Sequence, residues 1–233
     1  MAFPTVQTTN KSSTNTAGTS HTVSLPAGIG PLDVVLILMD IGSTSATLNA
    51  LTGWGEILDE ASANGLKILW YTGGGVPSDP TFTSSANTRD ASISLRISGA
   101  NRTITPQIAT TGTGTSATPD PPSVTPTGGT VKDYLFIAFA GMAGEEADDD
   151  TWANTPPTNY DPTPPLQKSC GTAGVNLGGL ICAAYRQLNT GSAQDPGTFG
   201  IDVSLAWRTQ HIIVHPEAAA ESIYPMMPPM VPF

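Results

Sequence analysis

Five carboxylates crowd the stretch "GEEADDDTW": Glu145, Glu146, Asp148, Asp149 and Asp150. A calcium ion takes oxygen ligands at this density, but the DxDxDG spacing of a dedicated loop is missing. Adjacent acids repel one another, so the stretch reads as a solvated loop. Glycoside hydrolysis would need two carboxylates in different environments across a cleft, and a single run of acids does not supply them. His211 and His215 flank "IIV" and fall on one face of a strand. A metal pair there would need a third ligand, and none is near in sequence. The glycines of "TGGGVPSD" are not followed by Lys-Ser/Thr, so they form a hairpin or bulge loop rather than a phosphate cradle. No GxSxG elbow is present. The sequence predicts no enzyme, no metal and no cofactor.

Aromatic rings are the other candidates, because a ring face can stack on a sugar. Trp54, Trp70, Tyr71, Trp152, Tyr160 and Trp207 qualify by type. Trp70 and Trp207 sit inside strand patterns and belong to the core. Trp152 and Tyr160 lie in Pro-rich loops, which makes them the exposed pair expected to touch a ligand or partner. Cys170 and Cys182 fit no zinc or CxxC spacing. They read as two thiols, at least one buried. The alternative is a disulfide across the hairpin formed by the intervening residues.

The totals say what must position these groups. The chain has 233 residues, a formal net charge of −10 and only 12% charged residues. Thr, Ser, Gly and Pro take the place of charge, the composition of short strands joined by turns. Nine Lys and Arg without a run or stripe exclude nucleic acid, whose phosphates need a basic footprint. Anionic membrane surfaces are disfavoured for the same reason. The longest apolar run, "VVLILM" (34–39), is too short for a membrane span, and the opening residues lack a secretory signal. Synthesis in the cytoplasm is the expectation.

A repeat runs through the chain. "TVSLPAGIGPLDVVLILMDIG" and "SVTPTGGTVKDYLFIAFAGMAG" both pass from a valine (Val23, Val124) through a Gly/Pro turn to an aspartate (Asp33, Asp133) and an apolar run. Trp54 then corresponds to Tyr160, Tyr71 to Tyr185, Asp79-Pro80 and Phe82 to Asp195-Pro196 and Phe199, and Arg96 to Arg208. The apolar runs suit strands covered on both faces, or central strands whose outer face meets another subunit. "SISLRIS" alternates, with Ile93, Leu95 and Ile97 on one side. "TFGIDVSLAWRTQHIIVH" changes register after Arg208, which predicts a bulge or bend there. "LDEASANG" has the character of one helical turn. Each half would be a sheet with a bare apolar face that needs its twin. The expected fold is a single antiparallel β-sandwich, jelly-roll-like, over residues 21–216. Its halves are 21–104 and 123–216, and an exposed linker, 105–122, joins them.

These paired half-repeats, and the opening "MAFPTVQTTN...TSHTVSLPAG", resemble β-sandwich proteins encoded in bacteriophage and prophage structural modules. The resemblance covers roughly residues 2–216. It departs at Tyr160, where a Gly-Trp would be usual. It implies a virion component such as a head decoration protein, or a tail or fibre accessory; binding of a host-surface glycan is the alternative that the loop aromatics Trp152 and Tyr160 suggest. It carries no catalytic residues.

The ends complete the reading. Residues 1–20 are polar and lack periodicity, which predicts an extended arm, either frayed or laid along a neighbour. Residues 217–233 end in "IYPMMPPMVPF". Proline fixes φ and removes donors there. Ile223, Tyr224, Met226, Met227, Met230, Val231 and Phe233 are the apolar side chains expected to dock on other virion subunits. A fold-back on the chain's own sandwich is the alternative. The same tail would draw copies together as a homo-oligomer.

Overall fold

The two apolar runs become the central strands of two sheets in the computed structural model, which describes residues 2–42, 46–62, 64–71, 73, 75–143, 152–170 and 179–218. The first sheet, sheet I, contains β1 (Thr5–Thr22), β2 (Val34–Ile41), β3 (Trp54–Asp59), β4 (Gly65–Tyr71) and β5 (Thr81–Ser98). Their spatial order is β1-β5-β2-β4-β3. The second, sheet II, contains β6 (Gln107–Ile108), β7 (Gly112–Ser116), β8 (Lys132–Ala143), β10 (Asp161–Ser169), β11 (Gly179–Thr190) and β13 (Leu205–Val214). Its order is β10-β11-β8-β13-β6, with β7 also on β13. A small ribbon of β9 (Ala153–Thr155) and β12 (Gly200–Ile201) lies apart from both. All pairings are antiparallel. The protein is an all-β sandwich.

Inward rows of both sheets make the central core. Val34, Leu36 and Leu38 of β2 and Ile93, Leu95 and Ile97 of β5 meet Leu135, Ile137 and Phe139 of β8 and Ile212 and Val214 of β13. The alternation expected for residues 92–97 is present. The outer faces are also covered. Val35, Ile37 and Met39 lie beneath Val23, Leu48, Trp54 and Phe82. Phe136, Ala138 and Ala140 lie beneath Val124, Trp152, Tyr160 and Phe199. The central strands are therefore apolar on both sides because the chain's own loops roof each sheet.

Several expectations are corrected. Residues 1–20 are no free arm: β1 pairs along β5 from Thr5↔Ser98 to Thr22↔Thr81, with shifts around Gly18. Its threonines are good strand formers. Its polar side chains also bond sideways, as Ser12 does to Ser92 at 2.8 Å and Asn10 does to the Leu25 carbonyl at 3.0 Å. Linker 105–122 contributes β6 and β7 to sheet II. No helical turn follows Asp59, since β3 runs into a turn through Asn64 (φ 55°) and out along β4.

The bend expected after Arg208 falls earlier. β13 keeps an unbroken ladder with β8 from Trp207 to Val214, and the break between β12 and β13 is at residues 202–204. What changes at Arg208 is the chemistry of the inward row, from Arg208 and Gln210 to Ile212 and Val214. Each sheet also comes from one continuous part of the chain, whereas a jelly roll shuttles its strands between sheets. Arg96 and Arg208 do not correspond: Arg96 pairs with Val35 at the start of β2, while Arg208 pairs with Gly141 near the end of β8.

Candidate functional site

Trp152 and Tyr160, expected to be exposed for a ligand, are each 3% exposed. The loop carrying them is fastened onto sheet II. Gln167 donates to the Ala153 carbonyl at 3.0 Å and accepts from its amide at 2.7 Å. Tyr160 reaches His211, its hydroxyl 2.8 Å from Nε2. Burial holds the His211 imidazole down at about 4 and pushes the Tyr160 phenol up, so the phenol donates to a neutral ring. The Arg186 guanidinium lies 4.8 Å from the centre of the Tyr160 ring, a cation–π contact. These residues are parts of a roof and present nothing to a ligand.

His215 packs edge-on against Tyr134, with ring centres 5.5 Å apart. The two histidines share a face as expected, but each ring has its own aromatic partner. Among the described residues no group of three or more His, Cys, Asp or Glu side chains is placed to hold a metal. The acidic loop 145–150 and the apolar tail side chains Ile223, Tyr224, Met226, Met227, Met230, Val231 and Phe233 lie outside the described residues. Cys170 and Cys182 are buried free thiols.

One constellation escaped the sequence reading. His21 stands between Asp90 (Nδ1 to Oδ1, 2.7 Å) and Ser84 (Nε2 to Oγ, 2.8 Å), the residue set of a serine hydrolase. Burial withholds the set from a substrate, and the Ser84 hydroxyl also lies 2.7 Å from the Ala86 carbonyl, a second partner for its proton. All three side chains are buried. The set clasps β1 to β5 under the roof of sheet I. It was illegible in sequence because it depends on the β1–β5 register across shifts near Gly18.

Two further buried charges are structural. Lys67 is wholly buried and pairs with Asp59, while its ammonium donates to the carbonyls of Glu60 at 2.7 Å and Ala46 at 3.1 Å. Asp40 points between the sheets. A Cβ placed on Gly141 or Gly179 would come within 3.0 Å of its carboxyl. Burial raises its pKa well above the ordinary carboxylate value, so its neutral form is favoured.

Trp207, expected in the core, is only half-buried, as is Tyr185; the half-buried aromatics that stand together are Trp54 and Tyr71, opposite each other where β3 pairs with β4. Their rings meet edge to face at 5.4 Å, and Trp54 rests on buried Phe82 at 5.8 Å. They line an open cavity of about 410 Å³ whose other wall is the segment from Val76 to Thr81. Gly53, at φ +84°, brings its backbone to the Tyr71 ring, where a Cβ would stand 3.2 Å from the ring edge. Gly73 closes the same turn through its amide to the Gly53 carbonyl at 3.1 Å, and a Cβ there would collide with the Tyr71 hydroxyl. Thus Gly53 and Gly73 seat one ring, and these glycines serve an aromatic rather than a phosphate. Asp79 fixes the opposite wall by accepting the Leu25 amide at 2.9 Å.

No helix among the described residues is long and apolar enough to cross a membrane. No protein-family model matches the chain, and neither a curated protein nor a solved structure does.

Proposed function

We propose that the chain is a non-enzymatic virion protein, a decoration subunit of a bacteriophage head, tethered to neighbouring subunits by its C-terminal apolar segment. The observation that supports this reading is the meeting at Gly99 of the first and last described segments, around Phe3 and Glu217. The Phe3 carbonyl lies 3.2 Å from where a Gly99 Cβ would be. The Gly99 carbonyl accepts the Glu217 amide at 2.9 Å. Pro216 forms a bridge with Ala100 beside it. The last described residues before the apolar segment are therefore bonded to the sandwich. Both sheets are already roofed by the chain's own loops, so a neighbour is better engaged by an added segment than by a bare sheet face. Burial of the seven apolar side chains from Ile223 to Phe233 would supply on the order of 10 kcal/mol before ordering costs.

Truncation after Ala218 tests the reading. The shortened chain is expected to keep the full-length unfolding midpoint yet fail to join bacteriophage head particles that take up the full-length chain. Full incorporation of the truncated chain would overturn the tether. Sedimentation of the two forms shows whether the same segment also joins copies of this chain.

A further inference from the structure

We infer that the Trp54–Tyr71 cavity is a binding site for a neutral pyranose glycan. This goes beyond the structural role proposed above and stands independently of the tail. The cavity, about 410 Å³, falls within the range of small-molecule sites, about 300–1,000 Å³. Its lining combines two chemistries. One wall is aromatic. An aromatic face is electron-rich, and the axial C–H bonds of a pyranose present a weakly positive, apolar face of matching size. The other wall offers the hydroxyls of Ser78 and Thr81 and the carboxylate of Asp79, all on exposed residues. These groups accept from and donate to sugar hydroxyls at the ring edge. Thr52, also exposed, adds a hydroxyl beside Trp54.

Charge narrows the ligand class. No lysine or arginine lines the cavity. Asp79 and a chain net charge of −10 oppose phosphates, nucleotides and acidic sugars. A purely apolar ligand is disfavoured in turn, because it would strip water from the Asp79 carboxylate and the wall hydroxyls without replacing their hydrogen bonds. The wall is also preformed. Tyr71 is held between Trp54 and the Gly53–Gly73 turn, Trp54 rests on Phe82, and Asp79 is anchored by Leu25. Little ordering remains to oppose binding.

The test uses the full chain and a panel of oligosaccharides: neutral gluco-, galacto-, manno- and N-acetylglucosamine oligomers, with sialylated and sulfated ones for contrast. Binding is read by saturation-transfer NMR and by calorimetry. At least one neutral oligomer is expected to bind, with saturation strongest on its ring C–H protons, and the acidic sugars are expected not to. Tyr71→Ala is expected to weaken binding about tenfold or more, while Tyr71→Phe retains most of it. Trp54→Ala removes a contact with Phe82 and can unsettle the roof. Ser78→Trp is therefore the second variant: it fills the cavity from an exposed position and is expected to abolish binding at an unchanged unfolding midpoint. The inference is overturned if no neutral oligomer binds, if acidic sugars bind in preference, or if binding survives both Tyr71→Ala and Ser78→Trp.

Discussion

Val23 and Val124, Trp54 and Tyr160, and Phe82 and Phe199 are matching landmarks of the two halves, and each pair divides between the roof of sheet I and the roof of sheet II. The strand order is also shared, since an early edge strand, the last strand, the central run and a hairpin follow one another in both sheets. The fastenings differ. Sheet I holds its roof with charge: Lys67 on Asp59, His21 on Asp90, and Arg96 on Asp33 at 2.6 Å. Sheet II relies less on ion pairs: Tyr160 bonds His211, Gln167 bonds Ala153, and the Arg186 guanidinium lies over the Tyr160 ring. One strand order has thus been closed by different contacts. The ion-paired version leaves an aromatic shelf open at Trp54 and Tyr71, where the other seals Tyr160 beneath Arg186.

Removing one fastener from each roof tests whether that contrast governs stability. Lys67→Met leaves Asp59 without its cation, takes the ammonium from the Ala46 carbonyl, and leaves the Glu60 carbonyl only the Ser62 amide. It is expected to cost about 3–5 kcal/mol, the usual penalty for breaking a buried pair. Tyr160→Phe leaves only a neutral imidazole nitrogen unpaired and is expected to cost about 1–3 kcal/mol. Urea unfolding of the two variants decides the matter. Equal costs would mean that the roofs do not differ in how they are held.

The pH dependence sharpens the comparison on the side of sheet II. Folded His211 titrates at about 4 against 6.5 when free. Between those values the unfolded chain binds the extra proton, so stability is full above pH 6.5 and is lost as pH falls toward 4. At about 1.4 kcal/mol per unit, the interval is worth on the order of 3 kcal/mol. His211→Gln is expected to remove this slope between pH 6.5 and 5, measured as the difference from wild type in unfolding free energy. A slope that persists in the variant would place the titration elsewhere.

Asp40 belongs to neither roof and carries the opposite sign. Its folded pKa is raised, so its contribution is full below the free value near 3.8 and declines as pH rises through the folded value. Asp40→Asn keeps the shape against Gly141 and Gly179 and cannot ionise. It is expected to be more stable than wild type at pH 8, with the gain shrinking toward pH 4. Guanidinium unfolding at the two pH values tests this, and a loss of stability at pH 8 would show that the carboxylate is needed as a charge.

These contrasts also explain what could be read from sequence. The apolar runs, the alternation of residues 92–97 and the landmark pairs were legible because each is a local pattern set by burial on one or two faces. β1 was not, because Thr, Ser and Asn along an edge strand have the composition of a disordered arm. What marks that segment as a strand is its partner, β5, more than seventy residues away along most of the ladder. Trp152 and Tyr160 were misplaced for a related reason. Prolines announce a loop, but whether a loop stands in water or lies on a sheet depends on how the Gln167 amide folds back on Ala153 and on Phe199, nearly forty residues beyond Tyr160. Trp54 and Tyr71 were named among six aromatics, and the glycines that seat Tyr71 were the unread local signal.

The two thiols divide along the same line and give the finest test. Cys182 lies under the roof of sheet II, whereas Cys170 belongs to the core between the sheets. Burial pushes the Cys170 thiol up to about 12 and Cys182 also upward, so neither supplies thiolate at pH 8 in the folded chain. A thiol reagent should therefore leave both unlabelled in the native state and react with both on unfolding. Low urea separates them. Lifting the roof of sheet II exposes Cys182 without parting the sheets, so Cys170→Ser is expected to label faster than Cys182→Ser below the unfolding transition. The Cys182→Ser protein, whose remaining thiol also accepts the Gly179 amide at 2.8 Å, should label only at the rate of global opening. Equal rates in the two variants would mean that the roof of sheet II and the sandwich beneath it open as one unit, and the distinction between cover and core would then hold in geometry but not in energy.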